Sequence, residues 1–491
     1  MLTAANDTLE STRPRTDPYA RIRAFFDEFA PAERRWRRRN STYHQLLAQI
    51  AQFFVLPGAS VLEIGSGSGD LLAAVRPARS VGVDLSDGMV RLAREAHPGI
   101  EFAVSAGEHL DLGDETFDYI VLSDLVPYVH DLLVLFERVA AHAHDGTRVI
   151  ISSYNSLWRP VFAVAEWLHL KPAKPLKNWV SPEDVTNVLE LAGLEQVVLS
   201  RRILMPKAVP LISGFLNGVM ANLWPFNHLC VTWWIVARPA LRDTESLTVS
   251  VVCACRNEQG HIAELVERLP DIGLDTELIF VEGNSTDDTR GEIERQIALH
   301  PGRDIRLLIQ QGVGKGDAVR TGFAAARNDV LMILDGDLSV RPEDLPKFYN
   351  AISAGSGELI NGSRLVYDME PGAMRFLNML GNKMFSRAFK AITGQHVKDT
   401  LCGTKVLLRR DYDRIAAGRP YFGEFDPFGD FDLLFGGARL GLKIIDLPVR
   451  YQARTYGQTN ISRWSHGLLL LRMTLFALWK FRVGIYRTNP A

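Results

Sequence analysis

The sequence has little cysteine, no excess of either charge and no long uninterrupted hydrophobic run. Four cysteines, Cys230, Cys253, Cys255 and Cys402, are too few and too irregularly spaced for a disulfide framework or a four-ligand zinc site. Lys and Arg total 55 against 57 for Asp and Glu, so the charge balance gives no support for a nucleic-acid partner. The cysteine content favours a reducing compartment, and we expect a cytoplasmic protein.

The start of the chain lacks the apolar core that a secretory signal needs. Residues 1–19 are polar and broken by Pro14 and Pro18, so we expect them to be disordered and predict no export. Over the whole chain, 47% hydrophobic and 23% charged residues are ordinary globular values. A length of 491 residues allows two or three domains.

Strand-like apolar runs alternate with helix-like amphipathic stretches twice, over residues 61–237 and 247–449. This alternation is typical of α/β domains with largely parallel sheets. A polar segment lies between them, and the two halves share no motifs at matching offsets. We therefore predict two different α/β domains at 20–238 and 247–460, a linker at 239–246 and a tail at 461–491.

The first domain opens with a short apolar strand that runs into a glycine-dense turn, Val61-Leu-Glu-Ile-Gly-Ser-Gly-Ser-Gly69. Glycines let the backbone approach a ligand closely, and the following helix offers free N–H groups. A dinucleotide fingerprint needs Gly-x-Gly-x-x-Gly spacing. Counted from Gly65 the last position is Asp70, and counted from Gly67 it is Leu72, so an NAD site is not predicted.

The turn resembles the first motif of class I S-adenosylmethionine-dependent methyltransferases, an acidic residue followed by Gly-x-Gly-x-Gly. The resemblance implies a Rossmann-like fold and S-adenosylmethionine as cofactor, with Asp84 holding the ribose hydroxyls and Leu85 contacting adenine. Residues 105–108 and 117–124 resemble the family's third and fourth motifs. The implied cofactor-binding residues are Glu63, Gly65, Gly67, Gly69, Asp84, Leu85, Ala106 and Ser123.

Methyl transfer from a sulfonium mainly needs alignment, whereas deprotonating an acceptor needs a base. Asp124, Tyr128 and His130 follow the fourth strand at the ligand-facing end of the sheet and are the candidates. Residues 208–237 hold no Asp, Glu, Lys or Arg, but prolines and asparagines interrupt them too often for a membrane span. They form either a hydrophobic cap over the pocket of a greasy methyl acceptor or an ordinary packed hairpin. The basic run at 33–40 is interpreted as a solvated helix face.

Polar residues end the strands of the second domain, where ligands bind in open α/β sheets. The first strand ends in Asn257-Glu258, the second ends at Glu282, and a glycine-rich turn carries Lys315 into a helix, which suits a diphosphate. A further strand, 330–335, delivers Asp335-Gly-Asp337. Two carboxylates one small residue apart suit a divalent cation, which neutralises a departing nucleoside diphosphate.

This arrangement resembles the inverting nucleotide-sugar glycosyltransferases of the GT-A fold, most closely the dolichyl- or polyprenyl-phosphate mannosyltransferase type. Arg454 and Gly457 match the closing Arg and Gly of that family. The implied nucleotide-sugar-binding residues are Asn257, Glu258, Glu282, Lys315 and Asp335, and the metal ligands for Mg or Mn are Asp335 and Asp337. The implied catalytic residues are Asp335, Asp337, Asp430, Asp432 and Arg364, with Arg364 meeting phosphate.

The tail is apolar but interrupted by Arg472, Lys480 and Arg482. We favour an amphipathic helix lying in the membrane interface. The alternative is a helix packed on the catalytic domain with snorkelling cations.

Together these features predict a bifunctional transferase that is peripheral on the inner face of the cell membrane. Its second domain transfers a sugar from a nucleotide-sugar donor to a polyprenyl-phosphate or glycolipid acceptor. Its first domain methylates a related glycolipid or glycan. In the alternative, the glycosyl acceptor is a soluble sugar hydroxyl and the first domain only binds S-adenosylmethionine or targets the enzyme.

Overall fold

The computed structural model describes residues 17–170, 172, 178–240, 246–367, 376–421, 429–452, 456 and 463–486, with the backbone alone at 376–380, 430 and 463–467. It contains two seven-stranded sheets, one on each side of the predicted linker. The predicted α/β class with two Rossmann-like units is thereby confirmed.

The strands of the first sheet are β1 Ser60–Ile64, β2 Arg79–Asp84, β3 Glu101–Val104, β4 Phe117–Ser123, β5 Ala143–Tyr154, β6 Leu194–Arg202 and β7 Thr232–Pro239. They lie in the order β3-β2-β1-β4-β5-β7-β6. Neighbours from β3 to β5 pair in parallel, and β7 runs antiparallel to both β5 and β6. The order reverses between β1 and β4, so a ligand crevice is expected at their carboxyl ends.

The helices around this sheet are α1 Ala20–Arg39, α2 Ser41–Phe54, α3 Asp70–Ala74, α4 Asp87–Ala96, α5 Leu132–Ala141, α6 Arg159–Trp167, α7 Pro182–Leu191 and α8 Ile212–Gly218. Several begin at residues whose side chains accept from the first free N–H groups. Ser86 caps α4, Asp131 caps α5, and Ser181 and Asp184 form a reciprocal capping box on α7. Short polar side chains therefore fix where these helices start.

The strands of the second sheet are β8 Val249–Cys255, β9 Thr276–Glu282, β10 Asp304–Ile309, β11 Val330–Asp335, β12 Leu359–Ser363, β13 Lys405–Leu408 and β14 Ile444–Pro448. Their order is β10-β9-β8-β11-β13-β12-β14, with β13 antiparallel to both of its neighbours. β8, β9 and β11 are almost wholly buried, which explains their continuous apolar sequences.

The helices of this half are α9 Gln259–Arg268, α10 Thr289–Leu299, α11 Lys315–Ala325, α12 Leu345–Ser353, α13 Phe376–Thr393, α14 Arg409–Ala417, α15 Asp430–Arg439 and α16 Arg463–Leu478. α16 continues into a π-helical turn at Trp479–Val483. Among the described helices, none combines the length and the apolar composition that crossing a bilayer requires.

The two halves share one hydrophobic core. Phe53 of α2 lies 5.3 Å from Phe481 between ring centroids, and Phe481 lies 5.8 Å from Phe435 of α15. The Arg439 guanidinium stacks over the Phe53 ring at 4.6 Å. These contacts make α2, α15 and the turn after α16 a common packing layer, so the polar linker does not separate two independent bodies.

A buried ion cluster also joins the halves. Arg148 at the start of the parallel part of β5 donates to Glu358 at 2.6 Å, and Arg238 of β7 lies 3.3 Å from the other Glu358 oxygen. Lys443 pairs with Glu195 of β6 at 2.5 Å. Burial alone would raise the pKa of Glu358, but the two guanidinium groups hold it below its usual range. Such a cluster is stable only while all its members are paired.

The structure differs from the expected amphipathic tail. Met473, Ala477 and Phe481 are buried, whereas Leu468, Leu471, Leu475 and Trp479 are exposed, so both sides of α16 and its last turn are apolar. One side packs on the protein, as in the alternative interpretation, and the other faces solvent.

The expected boundaries of the first domain stay a prediction. Residues 1–16 lie outside the described residues, but Tyr19 is buried before α1 begins. The basic run is part of α1. Its Arg37 forms an ion pair with Asp70, so the run is not a purely solvated helix face.

Candidate functional sites

The glycine-dense turn joins β1 to α3 in a conformation that requires glycine. Gly65, Gly67 and Gly69 have φ values of +77°, +52° and +75°, a region that side chains other than glycine rarely adopt. A Cβ on Gly65 would overlap Leu125, and one on Gly69 would overlap Phe102, whereas one on Gly67 would meet no atom within 4 Å. The middle of the turn therefore opens on space, as a turn that cradles a ligand must.

Asp84 ends β2 beside this turn. Its Oδ2 accepts from the Gly67 N–H at 2.8 Å and its Oδ1 from the Ser86 N–H at 2.9 Å. Burial raises the pKa of Asp84 despite these bonds. Each oxygen keeps a second lone pair, so the carboxylate is able to accept ribose hydroxyls in addition. The Gly67 bond also ties the turn to β2.

Glu63 lies under the turn and is 3% exposed. Its Oε2 is buried without a hydrogen-bond partner among the described residues. Burial raises the pKa of Glu63 to about 8. An unsatisfied acceptor next to an open glycine cradle fits a cationic or donor-bearing ligand such as S-adenosylmethionine.

Helix α1 closes over this region through two side chains. Asp27 accepts from the Ser86 hydroxyl at 2.5 Å and from the Gly88 N–H at 2.9 Å. Arg37 lies 2.8 Å from Asp70 at the start of α3. The first helix is thereby fastened to both loops that flank the glycine cradle.

Asp124 follows β4 with a φ of +54°, a strained backbone for a non-glycine residue. Tyr43 of α2 donates to its Oδ2 at 2.9 Å, and Tyr154 at the end of β5 also bonds to it. Burial, together with the charge of Asp124, raises the pKa of both phenols well above 10. The two tyrosines therefore stay protonated and orient the Asp124 carboxylate directly after β4.

The other two base candidates lie differently. Tyr128 packs edge-on against Phe26 of α1. The His130 side chain is exposed, and its backbone N–H donates to Glu108 at 2.9 Å. Of the three candidates, Asp124 accepts from both Tyr43 and Tyr154, and Tyr128 lies near Tyr154.

The remaining cofactor candidates lie at neighbouring strand ends. Leu85 is half-buried directly after β2, Ala106 is buried after β3, and the Ser123 hydroxyl lies 3.1 Å from that of Ser152. All of these follow carboxyl ends of parallel strands, the edge where the sequence placed them. Their contacts with a cofactor stay a prediction.

In the second domain the ends of β8 and β9 are bound to each other. Asn257, with a φ of +57°, accepts from the Thr286 N–H at 2.7 Å, and Glu282 accepts from the Ser285 N–H at 2.6 Å. Glu258 lies 2.9 Å from His261 and is buried. These three predicted donor-binding residues therefore meet in one loop cluster, and their contacts with a donor stay a prediction.

Lys315 and Asp335 form the centre of the second site. The Lys315 Nζ lies 2.5 Å from Asp335 Oδ1. Gly403 lies so close to both that a Cβ there would overlap the carboxylate and the ammonium. The glycine-rich turn, the end of β11 and the 399–403 turn thus meet at the Asp335 carboxylate. This carboxylate forms an ion pair with the Lys315 ammonium group.

Asp337 stands two residues on and accepts from the Ser339 N–H at 3.1 Å. Leu338 between them has a φ of +54°, which is costly for a bulky residue and indicates a backbone held in place by its surroundings. Among the described residues no three His, Cys, Asp or Glu side chains are grouped to hold a metal ion. A cation at Asp335 and Asp337 would complete its shell with phosphate and water oxygens.

Arg364 is paired within the protein. Its Nε and Nη2 donate to the two oxygens of Asp399 at 2.8 and 2.9 Å, and the guanidinium stacks on Tyr451 at 5.1 Å. Burial opposes its charge, but Asp399 raises the pKa of Arg364 further. A phosphate would have to bind the edge of the Arg364 guanidinium that Asp399 leaves free. The predicted phosphate-binding role of Arg364 therefore stays a prediction.

The two acidic residues of α15 are not equivalent. Asp432 accepts from Arg419 at 2.7 Å, and Arg419 also donates to Tyr412. Gly429, just before Asp430, packs against Gly316, which follows Lys315. The backbone of Asp430 is thus brought to the Lys315 loop, while its side chain lies outside the described residues. Arg454 and Gly457 also lie outside them.

Sequence reasoning missed several side chains that organise the sites. Those of the first site come from α1, α2 and the end of β5, and that of the second accepts from the Gly312 N–H in the glycine-rich turn. The set is Asp27, Arg37, Tyr43, Tyr154 and Asp317. The basic run at 33–40 was the available signal for Arg37, whereas Tyr43 and Tyr154 have no local pattern.

Comparison with known proteins agrees with this division. Residues 35–199 match the family model described as Methyltransferase domain, and residues 250–415 match Glycosyl transferase family 2. The two matches place two transferase domains in one chain. A methyltransferase domain precedes a family 2 glycosyltransferase domain.

Curated relatives match the second half. Glycosyltransferase AglJ of Haloferax volcanii is 30% identical over 43% of this chain and 66% of its own length. The dolichol-phosphate mannosyltransferase of Pyrococcus furiosus is 34% identical over 44% of this chain and 59% of its own. The undecaprenyl-phosphate 4-deoxy-4-formamido-L-arabinose transferase of Edwardsiella ictaluri is 33% identical over 47% of this chain and 66% of its own length. The match thus spans less than two thirds of each.

Solved structures resemble each half at low identity. A S-adenosylmethionine-dependent methyltransferase of Thermotoga maritima covers 44% of this chain and 99% of its own, at 19% identity and a TM-score of 0.36. Glucosyl-3-phosphoglycerate synthase of Mycobacterium tuberculosis, solved with Mn²⁺ and UDP, covers 48% of this chain and 80% of its own, at 21% identity and a TM-score of 0.35.

Proposed function

We propose that the second domain transfers a sugar, with inversion and with a divalent cation, from a nucleotide sugar to a polyprenyl phosphate or a lipid-linked glycan. The observation that carries this is the convergence of Lys315, Asp335 and Gly403 at the end of β11. The names of the relatives, which include dolichol-phosphate and undecaprenyl-phosphate transferases, support the acceptor class.

Asp335 and Asp337 are the residues that would hold Mg²⁺ or Mn²⁺. When bound, such a cation supplies charge neutralisation for a departing diphosphate. Lys315 adds a positive charge on the same side and enters α11, whose free N–H groups favour phosphate oxygens. Gly429, just before Asp430, adjoins this loop, and the Asp430 carboxylate would orient an acceptor. An acceptor that is already a phosphate needs no strong base.

For the first domain we propose methyl transfer from S-adenosylmethionine to a related glycolipid or glycan. Glu63, the glycine cradle and Asp84 would bind the cofactor. Asp124, held by Tyr43 and Tyr154, would accept a proton from an acceptor hydroxyl as the methyl group arrives. We place the enzyme at the cytoplasmic surface of the cell membrane, where a lipid-linked acceptor is accessible.

The glycosyltransferase proposal is tested by release of nucleoside diphosphate. The full chain with Mn²⁺ is incubated with a panel of sugar nucleotides, with and without detergent-dispersed polyprenyl phosphate. We expect release with one donor class, stimulated by the lipid phosphate. Release that a soluble sugar stimulates and the lipid does not would replace the lipid acceptor with a hydroxyl acceptor.

A further inference from the structure

A large apolar surface of this protein lies outside both sites and is built by both domains. Of the 28 large hydrophobic side chains that are exposed among the described residues, 18 fall in three segments, 156–170, 204–229 and 468–479. The most exposed of these 18 are Leu211 at 93%, Trp224 at 80% and Trp167 at 77%. Soluble proteins rarely gather exposed apolar side chains in this way without a partner.

The three segments are contiguous. The Trp158 indole N–H at the start of the first segment donates to the Leu229 carbonyl at the end of the second, at 2.9 Å. The second segment meets the turn after α16, because a Cβ on Gly218 would lie 3.4 Å from the Val483 Cα. We call the exposed side chains of these three segments the apolar face.

The second segment exposes apolar side chains and buries a polar one. Leu211 and Trp224 project to solvent, while Asn217 turns inward and accepts from the Leu204 and Met205 N–H groups at 2.8 Å. The segment is thus anchored by its polar residue and presents these two apolar residues outward.

The charged residues within the three segments are mainly basic. Arg159, Lys207 and Arg472 are exposed within the three segments, whose acidic content is Glu166 alone. Lys480 lies beside Trp479 at 5.4 Å from its ring. A second copy of this chain on the same surface would bring these cations toward each other. Anionic lipid headgroups would pair with them while the tryptophans enter the interface.

We propose that the apolar face is a membrane-docking surface for an anionic bilayer, formed jointly by the methyltransferase domain and α16. The tail alone is therefore not the anchor. Because the two domains share a core, docking at this face fixes the orientation of both sites relative to the lipid. The proposal rests on the proposed function only in that a polyprenyl-linked acceptor resides in such a bilayer.

Flotation with vesicles of phosphatidylcholine, with and without phosphatidylglycerol and free of polyprenyl phosphate, tests the surface. The full chain should float with the anionic vesicles. The double variant Leu211→Glu/Trp224→Glu should lose roughly tenfold or more of its bound fraction. Leu274→Glu, at a position 69% exposed but outside the apolar face, should bind as the wild type does.

Two further measurements keep the result unambiguous. Thermal unfolding should show the same transition in all three proteins, and diphosphate release with detergent-dispersed lipid should be unchanged. Equal flotation of the double variant, or no flotation of the wild type, overturns the docking surface while leaving the proposed function standing. A dimer by light scattering that the double variant dissociates would assign the face to a second copy instead.

Discussion

Arg148 of the methyltransferase domain donates to Glu358 of the glycosyltransferase domain at 2.6 Å, and both side chains are at least nine-tenths buried. The Arg148 Nε also donates to the Gly441 carbonyl at 2.8 Å. The pair joins positions 210 residues apart in the sequence, across the boundary that motifs alone place between two separate enzymes.

The first prediction concerns the coupling of the domains. Arg148→Met leaves the Glu358 carboxylate buried with one guanidinium fewer, which should cost about 3–5 kcal/mol of unfolding free energy. Calorimetry should show one transition for the wild type and a lower or divided one for the variant. Arg79→Met removes an exposed ion pair and should cost less than about 1 kcal/mol. Equal effects of the two changes would contradict a stabilising interdomain cluster.

The second prediction gives the pH dependence of the same cluster. Because the pKa of Glu358 is held low in the folded protein, the unfolded chain binds the proton more readily. The contribution is therefore complete above about pH 4.3 and is lost as the pH falls through the folded-state pKa. Urea unfolding should show the stability difference between wild type and Glu358→Gln shrinking below that pH. A constant difference would mean that the carboxylate charge contributes nothing.

The third prediction concerns Glu63, whose effect on the free energy of unfolding changes with pH in the opposite direction to that of Glu358. Burial raises its pKa to about 8, so the folded protein keeps a proton that the unfolded chain releases. Stability should fall as the pH rises from the ordinary value of about 4.3 toward 8. Glu63→Gln should match the wild type near the lower end and be more stable, on the order of 3 kcal/mol, at the upper end. Denaturation without cofactor measures this, and parallel pH profiles would refute it.

The fourth prediction addresses cofactor binding. Asp84→Ala should weaken S-adenosylmethionine binding by roughly 10- to 100-fold, because both its hydroxyl acceptors and its bond to the Gly67 N–H are lost. Titration calorimetry checks the affinity, and Asp114→Ala, an exposed loop position, is the control. Diphosphate release by the second domain should be unaffected. Unchanged affinity would remove the ribose assignment.

The fifth prediction separates the two acids of α15. Asp432→Asn breaks the pair with Arg419 and should lower stability more than turnover. Asp430→Asn should lower turnover with little change in stability, since its backbone adjoins the Lys315 loop. Melting temperature and diphosphate release, measured together, decide this. The reverse pattern would move the acceptor side of the site to Asp432.

Motifs at strand ends could be predicted because they are local. Asp84 ends a strand that the alternation of apolar segments predicts. Asp335 ends a continuous apolar segment that is typical of a buried strand. The sequence therefore predicted both sheets and the placing of their polar ends. The contacts among those ends needed the fold, since Lys315 and Gly403 reach Asp335 from separate loops.

Other features leave no local pattern. Tyr43 reaches Asp124 across 81 residues, and nothing in the α2 sequence distinguishes it from a core tyrosine. The domain interface is likewise invisible, because Arg148 and Arg238 look like ordinary strand residues until Glu358 is brought between them. The oily segment at 208–237 was recognised, but the direction of its side chains depends on the anchor at Asn217.

The central claim is that one chain carries two transferase activities directed at lipid-linked acceptors. The most direct test incubates the full chain with membrane lipid extract, labelled sugar nucleotide and differently labelled S-adenosylmethionine, and counts both labels in the lipid phase. We predict both labels in lipid, loss of the sugar label alone in Asp337→Ala, and loss of the methyl label alone in Asp84→Ala. Labels that appear only in water-soluble products would contradict the account.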